Sequence, residues 1–336
     1  MKLNLQQIKS ITLGAEEVFK DDLGFHFLRF CEAETNYYRN TEFMQKTLST
    51  SGIKLSFKTN SSFLKLNFKI LPGATRTYFA VCIFVNGKIA GVIKNFEDKC
   101  VLGKHYPSMQ FELGDFEDSF ALGDGEKEIK IAFPWSVQAV LKEIELSDNV
   151  TLTPVKKDKI MLCYGDSITH GYDALYPHKS YVELLAGFFD AEIHNKAIGG
   201  EIFCPSLSKI KMPYTPDIIT VAYGTNDWNK CDRETFENNC TLFFKNLATN
   251  YPDTPIFAIT PLWRKEYTET RPLGKFSYVA DFIKNVCSKY KNITVIEGFD
   301  IIGHDEVYFA DFRLHPNDNG YKIYADYLYE KISKAL

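Results

Sequence analysis

A chain of 336 residues is long for one domain and comfortable for two, and its 45% hydrophobic and 15% aromatic content supplies ample core material. That composition excludes a disordered chain, and a formal net charge of -4 forces no basic face, so a dedicated nucleic-acid binder is not expected. The eight cysteines are scattered without a CxxC pair, which gives no zinc or redox motif.

The N-terminus MKLNLQQIKSITLG lacks the apolar stretch of a signal peptide, and no later window approaches a membrane span. The expectation is therefore a cytoplasmic protein with reduced thiols, no membrane partner, and no protein partner that can be named. The first 45 residues are the least regular, with a short helix expected near Ala15–Lys20 and a strand at FHFLRF. From there the chain is written in period two: IKLSF (53–57) and LKLNFKI (64–70) alternate apolar and polar residues around the turn TNSS. YFAVCIFV (78–85) runs into Asn86-Gly87, a hairpin signal, and KIAGVI, EIKIAF and VLKEIEL complete a set of short strands. Residues 1–150 thus predict a jelly-roll-like β-sandwich.

SDNVTLTPVKKDK (147–159) is polar and reads as a linker into a second domain, residues 151–336. Here strand-like runs at 159–164, 191–198, 217–223, 255–260 and 293–297 alternate with helical segments near 178–189, 233–248, 276–290 and 318–335. Alternating βα units predict a parallel sheet covered by helices, whose sites lie beyond the carboxyl ends of the strands.

Those ends hold few chemically capable residues. KIMLCYGDSITHGYD leaves the first strand through Gly165, Asp166 and Ser167; the second strand ends at Gly199-Gly200, the third at Thr225-Asn226-Asp227. Beyond the fifth comes YFADFRLHPND, with Asp311 and His315. A serine hydroxyl becomes a nucleophile only with a base beside it, which His315 supplies. The oxyanion of a tetrahedral intermediate needs preorganised donors, available from the backbone N–H groups of Ser167 and Gly200 and the amide of Asn226. Taken singly, each residue has a plainer use: Gly199-Gly200 as loop punctuation, Asn226 as a turn former, Asp166 as the cap of the strand-one turn. Their joint placement at consecutive strand ends favours a site.

The blocks GDSIT (165–169), NKAIGG (195–200), GTND (224–227) and LHPND (314–318) occur in order and resemble those of the SGNH, or GDSL, hydrolase family. The resemblance implies a flavodoxin-like three-layer α/β/α fold over 157–336. It also implies Ser167 as nucleophile, His315 as base, Gly200 and Asn226 as oxyanion donors, and no metal or organic cofactor. A sandwich ahead of such a domain resembles two-domain carbohydrate esterases, which implies acetylated sugars or other small esters as substrates. The family spaces its acid as D-x-x-H, whereas here Asp311 precedes His315 by four. Either the loop absorbs one more residue and Asp311 still reaches the imidazole, as expected here, or a backbone carbonyl orients it. Trp228 and Trp263 are expected as cleft walls and Arg264 as a polar contact to substrate, against packing and surface roles. Alternative functions are a thioesterase or lysophospholipase on the same site, and a non-catalytic carbohydrate-binding protein.

Overall fold

In the computed structural model, which describes residues 1–97 and 109–336, the period-two half of the chain forms antiparallel strands. These are β1 (Thr12–Leu13), β2 (Glu17–Lys20), β3 (Phe25–Leu28), β4 (Lys54–Thr59), β5 (Phe63–Pro72), β6 (Ala80–Val85), β7 (Lys88–Lys94), β8 (Gly114–Ala121), β9 (Lys127–Ala132), β10 (Val137–Leu146) and β11 (Thr153–Pro154). One sheet has the order β1-β4-β9-β6-β7 with β11 on β4, the other β2-β3-β10-β5-β8. In β5 the alternation becomes burial: Leu64, Leu66, Phe68 and Ile70 are each at most 1% exposed and share one core cluster with Leu55, Phe57, Ile129 and Ile131 of the facing sheet. Asn86 and Gly87 both take positive φ (49° and 78°), as the tight hairpin between β6 and β7 requires.

The helix expected near Ala15–Lys20 is not formed there. The helix is Leu5–Ile11, started by a capping box in which the Asn4 side chain accepts from the Gln7 backbone and the Gln7 side chain accepts from Asn4. Glu17–Lys20 pairs instead with β3, where Val18 and its neighbours complete a half-buried edge. The described cysteines are free thiols, and Cys100 lies outside the described residues.

The second half adds β12 (Lys159–Gly165), β13 (Ala191–Asn195), β14 (Ile218–Ala222), β15 (Ile256–Ile259), a short ribbon of β16 (Thr270–Arg271) and β17 (Gly274–Lys275), and β18 (Ile293–Ile296). The main sheet is parallel throughout, in the order β13-β12-β14-β15-β18. Helices Tyr181–Phe189 and Asp318–Ala335 meet through Tyr181, Tyr321 and Tyr324. Arg233–Asn250 and Phe276–Cys287 meet through Phe236 and Phe282. This is the flavodoxin-like three-layer arrangement. Because β13 and β14 flank β12 on opposite sides, the chain reverses direction across the sheet at β12, and the crevice opens beyond its end. That places the residue after β12 between the loops after β13 and β14.

Contacts divide the described chain into two compact units, Met1–Cys31 with Met44–Asp158 and Leu175–His178, and Glu32–Phe43 with Lys159–Ala174 and Lys179–Leu336. The chain crosses between Asp158 and Lys159, at the end of the stretch read as a linker. Residues 32–43 belong to the α/β unit although sandwich strands precede and follow them. No helix among the described residues is long and apolar enough to cross a membrane.

Candidate active site

Ser167 begins the one-turn helix Ser167–His170 directly after β12. The turn leaves no room at Gly165, where an added Cβ would lie 2.2 Å from Thr169 Oγ1 and 2.9 Å from the Ala222 carbonyl oxygen. Asp166 caps the turn, its Oδ1 accepting the Ile168 N–H at 3.1 Å. Burial lifts this carboxyl to about 6, with the Ile168 hydrogen bond opposing. The capping role expected of Asp166 is the one it fills, and Ser167 is presented from a locked corner.

On one side of Ser167 stands the imidazole of His315, with Nε2 2.8 Å from Ser167 Oγ. Its other nitrogen, Nδ1, lies 3.0 Å from Asp311 Oδ2 and 3.0 Å from Asp173 Oδ2. Both are ion-pair distances, so two carboxylates face the one ring nitrogen. The longer spacing between Asp311 and His315 is absorbed at Phe312, which takes φ 54° and turns a 45% exposed ring outward. Asp311 Oδ1 then accepts the backbone N–H groups of Arg313, Leu314 and His315 at 3.1, 2.7 and 3.0 Å, so the carboxylate organises the loop as well as facing the ring. Burial alone would raise the Asp311 carboxyl, but His315 and these N–H groups hold it well below the usual carboxylate range. Burial likewise pulls His315 down, yet Asp173 and Asp311 outweigh it and lift the imidazole to about 9.

Asp173 is the residue that sequence reasoning missed. It is fully buried and sits at φ 67°, a backbone setting that Asp tolerates better than most side chains. Its available signal was an acid six residues after the serine in a turn-rich stretch, which a turn explains equally well. Tyr172 was missed too. Its ring lies 5.6 Å from that of His315 and occupies the space where a Cβ on Gly199 would come within 2.3 Å of it.

On the other side, Gly199 N–H donates to His170 Nδ1 at 3.2 Å, and Gly200 follows at φ 90°. The Asn226 amide donates one N–H to the Glu201 carbonyl at 3.0 Å, and Lys230 Nζ donates to the Gly200 carbonyl at 2.6 Å. An amide carries two such hydrogens, so one remains for another acceptor. Ser167, His315 and Asp311 are thus in contact, while Gly200 and Asn226 lie beyond the ends of β13 and β14, with the Asn226 amide tied to the residue after Gly200.

Trp228 and Arg264 are not placed as expected. Trp228 is completely buried: its Nε1 donates to the Gly274 carbonyl at 2.9 Å, and its ring is covered by Arg264, Arg271 and Phe276. Arg264 is 2% exposed and donates to Thr225 and Glu266; its burial lowers its pKa and Glu266 opposes that. Trp263, also buried, stacks on His304 at 5.9 Å and packs against Phe309. A large ring directly after a βα turn is drawn into the sheet-helix interface by its own apolar area, which decides against an open cleft face.

The assembled groups have one evident chemical capacity: moving a proton off Ser167 Oγ onto His315 Nε2. Asp173, Asp311 and His315 also offer three ligand atoms within 4.8 Å of one another.

Residues 163–323 match the GDSL-like Lipase/Acylhydrolase family. No curated protein sequence matches the chain. Among solved structures, the salicylyl-acyltransferase SsfX3 of a tetracycline biosynthetic pathway is similar at 19% identity and TM-score 0.80, covering 96% of this chain and 94% of that one. A family two carbohydrate esterase from Cellvibrio japonicus is similar at 15% identity and TM-score 0.67, covering 99% and 97%. An acetyl xylan esterase from the rumen bacterium Butyrivibrio proteoclasticus is similar at 14% identity and TM-score 0.62, covering 100% and 99%. At these identities the likeness is one of fold, and it extends over both units.

Proposed function

We propose, from the match of residues 163–323 to the GDSL-like Lipase/Acylhydrolase family, that the protein is a serine carboxylic-ester hydrolase acting on small acyl esters, foremost acetyl esters of carbohydrate. The observation that carries it is the 2.8 Å contact between Ser167 Oγ and His315 Nε2, with carboxylates behind the ring.

Ser167 Oγ attacks the acyl carbon as its proton passes to His315 Nε2, giving a tetrahedral oxyanion. The N–H groups of Ser167 and Gly200 and the remaining N–H of Asn226 receive that charge. Collapse breaks the ester C–O bond, and the alcohol leaves with the proton from His315. Water then repeats the sequence on the acyl-serine, releasing the acid and restoring Ser167. Asp311 and Asp173 stabilise the imidazolium formed in each half.

The carbohydrate assignment draws on the likeness to carbohydrate esterases across both units, with the sandwich as an accessory domain. A second reading, transfer of the acyl group to an alcohol in place of water, draws on the likeness to SsfX3. One experiment separates them: turnover of aryl esters of two to twelve carbons and of acetylated sugars, with and without added alcohol acceptors. Preference for acetyl groups and release of free acetate supports the proposal. Product partitioning into a new ester supports transfer, and a preference for long chains supports the lysophospholipase alternative. No turnover of any ester overturns all three.

A further inference from the structure

The loop holding Gly200 is gripped by a piece of chain from the far N-terminal half. Glu34 and Tyr38 stand four residues apart on the helix Glu32–Tyr38, so their side chains share one face. Glu34 Oε2 pairs with Lys196 Nζ at 2.7 Å, and both side chains are completely buried. Tyr38 Oη donates to Glu201 Oε1 at 2.5 Å, while Tyr223 Oη donates to Glu201 Oε2 at 3.1 Å. Farther along the same segment, the Phe43 ring lies 5.7 Å from Lys230 Nζ, which donates to the Gly200 carbonyl. Two contacts from residues 32–43 therefore bracket residues 196–201, with Gly199-Gly200 between them, and a third reaches Gly200 through Lys230.

We propose that the segment Glu32–Phe43 is a brace for the oxyanion loop, with Tyr38 and Glu34 as positioning residues that hold the Gly200 N–H in place. The inference rests on the oxyanion role proposed above.

Two physical considerations favour a brace over incidental packing. A buried ion pair contributes little net stability because both ions must be desolvated, so Glu34 and Lys196 set geometry better than they add energy. Glu201 is equally costly to bury: burial pushes its carboxyl up to about 8, with the Tyr38 and Tyr223 hydrogen bonds opposing. Such a group has one best position, defined by its two phenol partners. An oxyanion donor works only at about 2.7–3.1 Å from the charge, so a loop anchored at Lys196, Gly200 and Glu201 needs that definition.

The test uses the full chain and Tyr38→Phe, which removes one hydroxyl and keeps the ring. Misplacement of a donor should lower kcat for an aryl acetate by roughly 10- to 100-fold with KM within twofold. Affinity for a tetrahedral boronate inhibitor should fall by the same factor, while inhibition by the product alcohol stays unchanged, since only the tetrahedral species uses the loop's donors. The partly exposed Phe43→Leu should show the same pattern at about two- to fivefold, and it keeps the test open if Tyr38→Phe folds poorly. Wild-type kcat and boronate affinity in either folded variant, or equal losses for boronate and product alcohol, overturn the brace. Ser167→Ala is measured beside them: if it retains activity, the underlying esterase reading fails instead.

Discussion

The two sides of Ser167 are held by different physics. On the base side, charge does the positioning, and it is duplicated: Asp173 and Asp311 both stand 3.0 Å from His315 Nδ1. On the oxyanion side neutral hydrogen bonds run through the loop in sequence, from Tyr38 to the Glu201 side chain and from the Glu201 carbonyl to Asn226, with Lys230 holding the neighbouring Gly200 carbonyl. Parallel supports tolerate the loss of one member, whereas a series transmits every loss to its end. The duplicated side should therefore be the robust one.

The largest effect comes from removing what both sides serve. Ser167→Ala should lower kcat on an aryl acetate by a factor on the order of 10⁶, leaving only acceleration from binding and the oxyanion donors. Activity within tenfold of the parent, in protein with an unchanged melting curve, would remove the nucleophile. Next is the double variant Asp173→Asn with Asp311→Asn, expected to cost on the order of 10⁴ in kcat because no carboxylate is left to stabilise the imidazolium. A loss no greater than the larger single-variant loss would mean that the acids are not duplicates. Asn226→Ala should cost roughly 10² to 10³ in kcat, about 2.7–4 kcal/mol, with little change in KM. A change confined to KM would make the amide a ground-state contact.

How far this contrast could be read from residues alone depends on where each support lies. The strand and helix rhythms and the blocks after β12, β13 and β14 follow from period and spacing, since sheet topology turns chain order into proximity at the strand ends, whereas the spacing of Asp311 left a backbone carbonyl as its rival. Asp173 was hidden because a buried acid at a left-handed turn has the same local signature as an exposed turn former. Glu34 and Tyr38 were hidden for another reason: they lie among sandwich strands and serve the other unit, which no local pattern encodes. Trp228 misled because the helix Thr225–Lys230 must bury one face, and Thr225 and Trp228, three apart, are both on it.

The smallest effect is the sharpest test of duplication. With Asp173 still in place, Asp311→Asn should cost only on the order of tenfold in kcat, because one stabilising carboxylate survives. The pH profile supplies the second readout. His315 must be neutral to accept the serine proton, so with both acids present kcat/KM should rise with pH through about 9, where the pair of carboxylates places the imidazole. Loss of either acid lowers that pKa and moves the acid limb toward the ordinary histidine value of about 6.5. Folding responds with the opposite sign. A raised imidazole pKa contributes stability that is fully present below the unfolded value and is lost as pH rises through about 9. The Asp311 variant should therefore lose melting temperature at pH 6 and lose less of it at pH 10. A 10⁴-fold drop in kcat for Asp311→Asn alone, with the acid limb unmoved in Asp173→Asn, would make Asp311 the sole orienting acid and Asp173 a buried partner of the loop.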